Sequence, residues 1–432
     1  GEDIPIDLTT ITNPFTGTRK LLDSVEIDSA IARLDLKVNL PESVDDLDLI
    51  TKAGPNGPAT KSVLKTIKNF NMAELLPIAA MASNNFLKFK NLYSNSPDVK
   101  STESDRSPKL THYTRRLSVV KDPECKMRII AIFDYVSQSL LEILSKQLFN
   151  NLEKIPSDRT FNQDPHFTHV EIDHSQKLSI DLTAATDRFP VSLQKQILSK
   201  LVGPDYAENW NILMTGSPFR HPYAEEGMYY SVGQPMGAKS SPMFTLSHHI
   251  VVQCAALRAG VKRFDSYILL GDDIVINNDK VAEKYIEIMK ELGVETSESK
   301  THVSSDTYEF AKRINTKQGE ITGAPLRGIL TNINNIYILY NILFEYFQIR
   351  GNTFMFKGSI MDLCVSLVRE FQIASRSRVS SYKSLLGKLQ PYNLFMRISF
   401  GYATYDEIRY FFAVNVIHND IYMVGPNLQV IL

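Results

Sequence analysis

Residues 266–278 read SYILLGDDIVINN, two apolar runs on either side of Gly-Asp-Asp. Each run has the length and β-branched content of a short buried strand, and glycine next to aspartate is hairpin-turn chemistry. The pattern constrains the fold, because carboxylates are costly to place beside a buried sheet. Read alone, the tripeptide is only a turn. A second acidic site changes that. DLTAATDRFP (181–190) puts Asp181 at the end of a short strand, KLSID (177–181), and Asp187 six residues later. If the two strands are neighbours in one sheet, Asp181 and Asp272 approach within a few ångströms. Like charges so placed repel, and burial raises their cost. A pair of divalent cations removes the problem, and hard oxygen ligands suit Mg²⁺ or Mn²⁺. Two ions roughly 3.5–4 Å apart serve in-line phosphoryl transfer. Adjacent strand side chains face opposite ways. Asp272 is therefore expected as the main ligand and Asp273 as a secondary one.

Between the acidic sites lies VGQPMGAKSSPMFTLSHHIVVQCAALRAG (232–260). Gly233 and Gly237 make a flexible loop, Ser241 suits an N-cap and Pro242 the first helical position. The helix that follows is apolar on nearly every side, so it belongs in the core. His248 and His249 diverge by about 100° around it and cannot share a metal through one face; core hydrogen bonding is their expected role. VAEKYIEIMKELG (281–293) is an amphipathic helix, with apolar residues at 281, 285, 288 and 292. Upstream, SVLKTIKNFNMAELLPIAAMA (62–82) reads as one helix and KMRIIAIF (126–133) as a buried strand. This order makes the chain α+β, with helices on one face of an antiparallel sheet. From about residue 326 onward the pattern is mostly helical.

The chain has 432 residues, 43% of them hydrophobic, enough for two or three lobes. Its formal net charge of −1 excludes a purely electrostatic nucleic-acid binder, so any such site is a local basic channel. Residues 106–128 supply one: Arg106, Lys109, Arg115, Arg116, Lys121, Lys126 and Arg128 stand against Asp122 and Glu124. Lys126 and Arg128 are two apart on a strand and share a face, where they can grip a triphosphate. Lys300 is placed to act as general acid at a leaving pyrophosphate. YEFAKR (308–313) groups Phe310, Lys312 and Arg313 for contact with a nucleic-acid backbone, sugar or base, although an ordinary amphipathic strand reads equally well. The three cysteines lie far apart with no CxxC pair or Cys/His cluster, the pattern of free buried thiols rather than of a structural zinc site. No apolar run approaches the roughly 20 residues of a membrane helix, and no protein partner can be inferred. No signal peptide opens the chain. It begins at Gly1, which suggests a trimmed or processed chain, or a compact member of its group.

Together these residues resemble viral RNA-dependent RNA polymerases, and within them the mitovirus group. AGPNGPATKS (53–62) resembles the template-entry motif, and KDPECKMRIIAIFDYVSQ (121–138) the basic fingers motif. DLTAATDRFP resembles motif A, GQPMGAKSSPMFTLSHH motif B, LLGDDIVI motif C, ETSESK motif D and EFAKR motif E. TFNQDPHF (160–167) is similar to a segment the family carries just before motif A. The resemblance covers roughly residues 53–330. It implies a right hand of fingers, palm and helical thumb. The N-terminal extension and fingers span 1–165, the palm with motif A 166–192, a fingers insertion 193–231, the palm with motifs B–E 232–325, and the thumb 326–432. It implies two Mg²⁺ or Mn²⁺ ions on Asp181 and Asp272, with Asp273 assisting. Lys126 and Arg128 hold the triphosphate, Asp187 senses the 2′-hydroxyl, and Gly237, Ser240 and Ser241 cradle template and incoming sugar. Gly54, Asn56 and Gly57, with Arg115, Arg116, Lys121, Phe310, Lys312 and Arg313, contact RNA template and product. A host mitochondrial location is implied by the family, not by any targeting segment.

Two rival readings differ in class. An organellar intron-type reverse transcriptase shares the chemistry but favours Ala-Asp-Asp where this chain has Gly-Asp-Asp, and needs no 2′-hydroxyl sensor. A non-enzymatic RNA-binding protein derived from a polymerase need not keep Asp181, Asp272, Asp273, Lys126 and Arg128 intact.

Overall fold

A computed structural model describes residues 7–40, 53–82, 113–121, 127–168, 176–224, 226–297, 301–351 and 358–415, with residues 91 and 94. Lys126 and Lys300 lie outside the described residues. The chain forms two compact units, Gly1–Lys312 and Arg313–Leu432.

In the first unit a four-stranded antiparallel sheet runs His302–Ser304, Lys177–Ile180, Asp273–Ile276, Tyr267–Leu270. Its period-2 alternation sorts the apolar residues onto two faces. Leu269, Ile274, Ile276 and Ile180 enter the main core, whereas Ile268 and Val275 pack with Tyr308 and Phe310 in a separate cluster. The main core also holds the helix Pro242–Arg258, whose residues from Pro242 to Ala256 are all buried. It packs against the helices Ser24–Arg33, Tyr135–Leu152, Val191–Val202 and Asp279–Glu291. A helix surrounded in this way needs the all-round apolar sequence it has. Asp279–Glu291 is amphipathic, is started by the Asn278 side chain accepting from the Val281 N–H at 3.0 Å, and buries Val281, Tyr285 and Ile288.

A second sheet is built on the strands Arg116–Lys121 and Met127–Ile132, paired antiparallel from Arg116↔Ile132 to Lys121↔Met127. Arg116 also pairs in parallel with Arg220 on the short strand Phe219–Arg220. The strand and helix readings for 177–181, 266–278 and 281–293 agree with these elements; 126–133 is a strand over Met127–Ile132 but not a buried one, since only Ala131 within it is buried and Arg128 is exposed.

Two local expectations are corrected. Residues 62–82 are not one helix but lie in Ala59–Lys68 and Met72–Ala82. The break is a capping box: Asn71 Oδ1 accepts from the Glu74 N–H at 3.0 Å, and Glu74 Oε2 accepts from the Asn71 N–H at 2.9 Å. Ser241 does not cap its helix. Its backbone is already helical at φ −50°, and its side chain makes no cap bond, so Pro242 alone marks the start.

The second unit opens with a hairpin, Asn315↔Glu320 and Thr316↔Gly319, and continues as helices. Ile336–Phe344, Ile360–Ala374 and Tyr382–Ser399 pack around Leu339, Tyr340, Leu343, Cys364, Val365 and Leu389. No helix among the described residues is long and apolar enough to cross a membrane.

Candidate active site

The strand pair Tyr267–Leu270 and Asp273–Ile276 closes at Leu270↔Asp273, leaving Gly271 and Asp272 as the two loop residues. Gly271 has φ +62°, while Asp272 is not among the positive-φ residues. That sign pattern is a type II′ turn, which wants glycine first. On the neighbouring strand Ile180 pairs with Ile274, so the same register continued by one residue sets Asp181 opposite Asp273. The Asp181 carbonyl accepts from the Ser297 N–H at 2.9 Å, which anchors this strand end.

The carboxylates feel one another. Asp272 is exposed, yet surrounding protein strips part of its hydration and raises its pKa. The Asp181 charge raises it further and Arg128 opposes the rise. Burial pushes Asp273 up to about 6; Asp272, Glu309 and Asp181 act in the same direction, against the Ala311 N–H bonded to its Oδ2 at 2.6 Å. The two adjacent aspartates thus differ in setting: Asp272 is exposed in the turn, and Asp273, at the start of its strand, is tied back into the fold. Among the described residues no three His, Cys, Asp or Glu side chains gather closely enough to hold a metal ion. The donor set still fits a hard divalent cation, because Asp181, Asp272 and Asp273 all offer carboxylate oxygens, and the raised pKa values of Asp272 and Asp273 mark uncompensated negative charge.

The basic side of the site is Arg128, exposed on Met127–Ile132 and within electrostatic reach of Asp272. Arg116 and Arg220 stand side by side on paired strands; burial first, and then Arg220, lowers the Arg116 pKa. Among the described residues neither has a carboxylate partner, and Arg116 Nε is buried without a hydrogen bond. Arg220 escaped the sequence reading because it lies outside the basic run. Lys121 is exposed at its strand end.

The 232–241 loop joins these parts. Gly233 is pressed against the turn holding Asp187; a Cβ there falls 2.1 Å from the Thr186 carbonyl oxygen. The Met236 carbonyl accepts from the Ala131 N–H at 2.6 Å, and Gly237 has φ +118°. Gln138, also missed from sequence, holds the loop at two points: its Nε2 donates to the Gly237 carbonyl at 2.9 Å and its Oε1 accepts from the Lys239 N–H at 2.8 Å. Asp187 accepts from the Thr10 hydroxyl at 2.8 Å, and its pKa is raised by burial.

Three expected contact residues are corrected. Arg115 cannot reach RNA: it is 1% exposed, ion-paired with buried Asp134 at 3.5 Å, and lies over the Phe133 and Phe219 rings. Phe310 is fully buried in the cluster of Ile268, Val275 and Tyr308. Ser240 is fully buried, its Oγ accepting from Trp210 Nε1 at 3.1 Å, which leaves Ser241 as the exposed serine. Lys312 is exposed, with φ +61°. Arg313, in the second unit, is engaged by Glu320 at 2.5 Å. Gly54 and Gly57 form a hairpin in which Tyr135 donates to the Gly57 carbonyl at 3.2 Å, and Asn56 donates to Thr66 at 3.1 Å. Both histidines have the expected core bonds. His249 contacts Tyr267 and Asp158; His248 contacts Gly271 and Tyr285.

The family model described as Mitovirus RNA-dependent RNA polymerase matches residues 41–430. The chain is 34% identical over 337 residues to the RNA-directed RNA polymerase of Cryphonectria parasitica mitovirus 1, covering 71% of this chain and 40% of that protein. It thus spans less than half the length of that relative. An uncharacterized mitochondrial protein of Arabidopsis thaliana is 36% identical over 172 residues, 38% of this chain and 68% of that one. Among solved structures, the insertion-loop deletion mutant of a human picobirnavirus RNA-dependent RNA polymerase aligns with a TM-score of 0.45 and 13% identity, covering 90% of this chain and 77% of that one. By the family match and the mitovirus relative together, the chain belongs to the mitovirus RNA-dependent RNA polymerase family.

Proposed function

We propose that this chain is an RNA-dependent RNA polymerase, extending an RNA 3′-hydroxyl with nucleoside triphosphates on an RNA template. The observation that carries the reading is the register that sets the Asp181 strand end against the Gly271–Asp273 turn, with Arg128 in reach of Asp272. Asp181 and Asp272 hold divalent cations, Mg²⁺ or Mn²⁺, with Asp273 assisting. When bound, two such ions stabilise the attacking and leaving oxygens of an in-line transfer. Arg128, with Lys126, holds the triphosphate, and Arg116 and Arg220, at the other end of the same strand pair, add further basic groups. Asp187 and Ser241 read the sugar beside the 232–241 loop. Lys300 protonates the leaving pyrophosphate. Gly54, Asn56 and Gly57 guide template, while Lys121 and Lys312 meet the RNA backbone.

Membership of the family supports this reading over a reverse transcriptase. It also supports a division into fingers, palm and thumb. The Arabidopsis relative, named as a mitochondrial protein, supports a mitochondrial location.

The test is Asp272→Asn, assayed for Mg²⁺- or Mn²⁺-dependent RNA synthesis and, separately, for RNA binding. Loss of synthesis with retained binding is the expected result; full synthesis overturns the assignment.

A further inference from the structure

His248 is fully buried midway along Pro242–Arg258, and both of its ring nitrogens are engaged. Nδ1 lies 2.8 Å from the Gly271 carbonyl oxygen, and Nε2 lies 2.7 Å from the Tyr285 hydroxyl. A carbonyl oxygen only accepts, so Nδ1 carries a proton and donates it. Tyr285 is fully buried on Asp279–Glu291, its ring stacked beside the imidazole at 5.7 Å. With an uncharged ring, its hydroxyl donates to Nε2 and so holds the proton on Nδ1.

The group that His248 grips is the central peptide of the Gly271–Asp272 turn. Type I′ and type II′ turns differ by a flip of that peptide, through about half a turn of its plane. That peptide joins Gly271 directly to the Asp272 N and Cα, so holding its carbonyl holds the backbone from which the Asp272 side chain leaves. Glycine in first place favours the type II′ form without locking it, since aspartate can also enter the left-handed region that a type I′ turn requires. The buried helix supplies the missing restraint from behind the sheet.

We propose that His248 is a positioning residue for Asp272: its Nδ1–H holds the Gly271 carbonyl and thereby fixes the turn backbone from which the Asp272 carboxylate is presented beside the Asp181 strand end. The proposal rests on the reading of Asp272 as a metal ligand.

Asparagine and glutamine separate this role from core packing. The asparagine amide reaches where Nδ1 stands and the glutamine amide where Nε2 stands, and both discard the ring. His248→Asn keeps a donor for Gly271 and loses Tyr285; His248→Gln does the reverse. Each is compared with the wild type in thermal midpoint, in kcat and nucleotide KM, and in Mn²⁺ affinity without substrate, read from the free-ion EPR signal. His248→Gln is expected to weaken Mn²⁺ binding and lower kcat by about tenfold or more, with KM little changed, as for lost outer-sphere support of a metal ligand. His248→Asn is expected to stay within about threefold of wild type in both, although it loses as much stability. Equal losses in the two variants, tracking their loss of stability, overturn the proposal. If neither folds, Tyr285→Phe decides. It releases the tautomer without removing Nδ1, so it lowers Mn²⁺ affinity several-fold if the proposal holds, and unchanged affinity overturns it. Asp272→Asn run alongside separates the two readings. Normal Mn²⁺ binding and synthesis in that variant sink the metal assignment itself, whereas its loss with no Asn–Gln contrast at His248 sinks only the positioning role.

Discussion

The carboxylate of Asp273 accepts the Ala311 N–H at 2.6 Å, from a residue whose φ of +50° turns that N–H toward the sheet. The aspartate at the strand start is thereby committed to holding the fold while its neighbour Asp272, in the turn, is left for chemistry. Asp273→Asn keeps an oxygen for Ala311 and is expected to lower kcat by about 10–100-fold. Asp272→Asn is expected to leave less than about 1% of activity. Steady-state RNA synthesis by the two variants, at saturating Mn²⁺, checks the order; a reversed order refutes the division of labour.

The same residue gives the metal-free protein a pH dependence. Asp273 is raised from 3.8 to about 6 on folding, mainly by burial. A carboxyl raised in this way contributes stability that is fully present below its unfolded pKa and is lost as pH rises through the folded one. Relative to wild type, Asp273→Asn is therefore expected to gain thermal stability between about pH 4 and pH 6 in chelator. A stability difference that stays flat across that window counts against the burial argument.

Arg115→Met is a prediction about folding, not RNA. It leaves the buried Asp134 carboxylate uncompensated, which typically costs about 3–5 kcal/mol. Urea titration is expected to register that loss, while RNA affinity per folded molecule is unchanged. Arg116→Ala is expected to do the opposite, weakening RNA or nucleotide binding at little cost in stability.

The adjacent serines divide in the same manner. Ser240→Ala strands the indole N–H of Trp210 and is expected to cost about 1–3 kcal/mol, with ribose selection intact. Ser241→Ala is expected to alter the ratio of ribo- to deoxyribonucleotide incorporation with stability unchanged. Competition between the two nucleotide types on one RNA template reads this directly.

Cys254 and Cys364 are both buried, and burial pushes each thiol up to about 12. Thiolates are the reactive form. Neither cysteine is expected to be alkylated at pH 8 until the protein is unfolded, as mass mapping of the labelled peptides will tell.

The central hairpin, the buried helix and the amphipathic helix after it were legible because each rests on a long apolar period that tertiary context does not contradict. Facing was legible only in part. In YEFAKR the alternation places Tyr308 and Phe310 on one face and Glu309 on the other, yet pattern alone cannot say which face meets the core. Arg115 and Arg116 are adjacent on the chain, yet Arg115 is buried in an ion pair with Asp134 and Arg116 is only half-buried, so one basic run held a core ion pair and a partly exposed cation without distinguishing them. Gln138 and His248 act through backbone groups of distant loops. Such pairings depend on register between elements, which no local period encodes.

Trp210 is the one tryptophan in the chain, and its indole N–H is spent on Ser240, at the foot of the 232–241 loop. Its fluorescence is accordingly an intrinsic optical gauge of that loop's docking. A dry, hydrogen-bonded indole emits toward the blue, and any nucleotide or RNA that lifts the loop away from it shifts the spectrum to the red, with no label added.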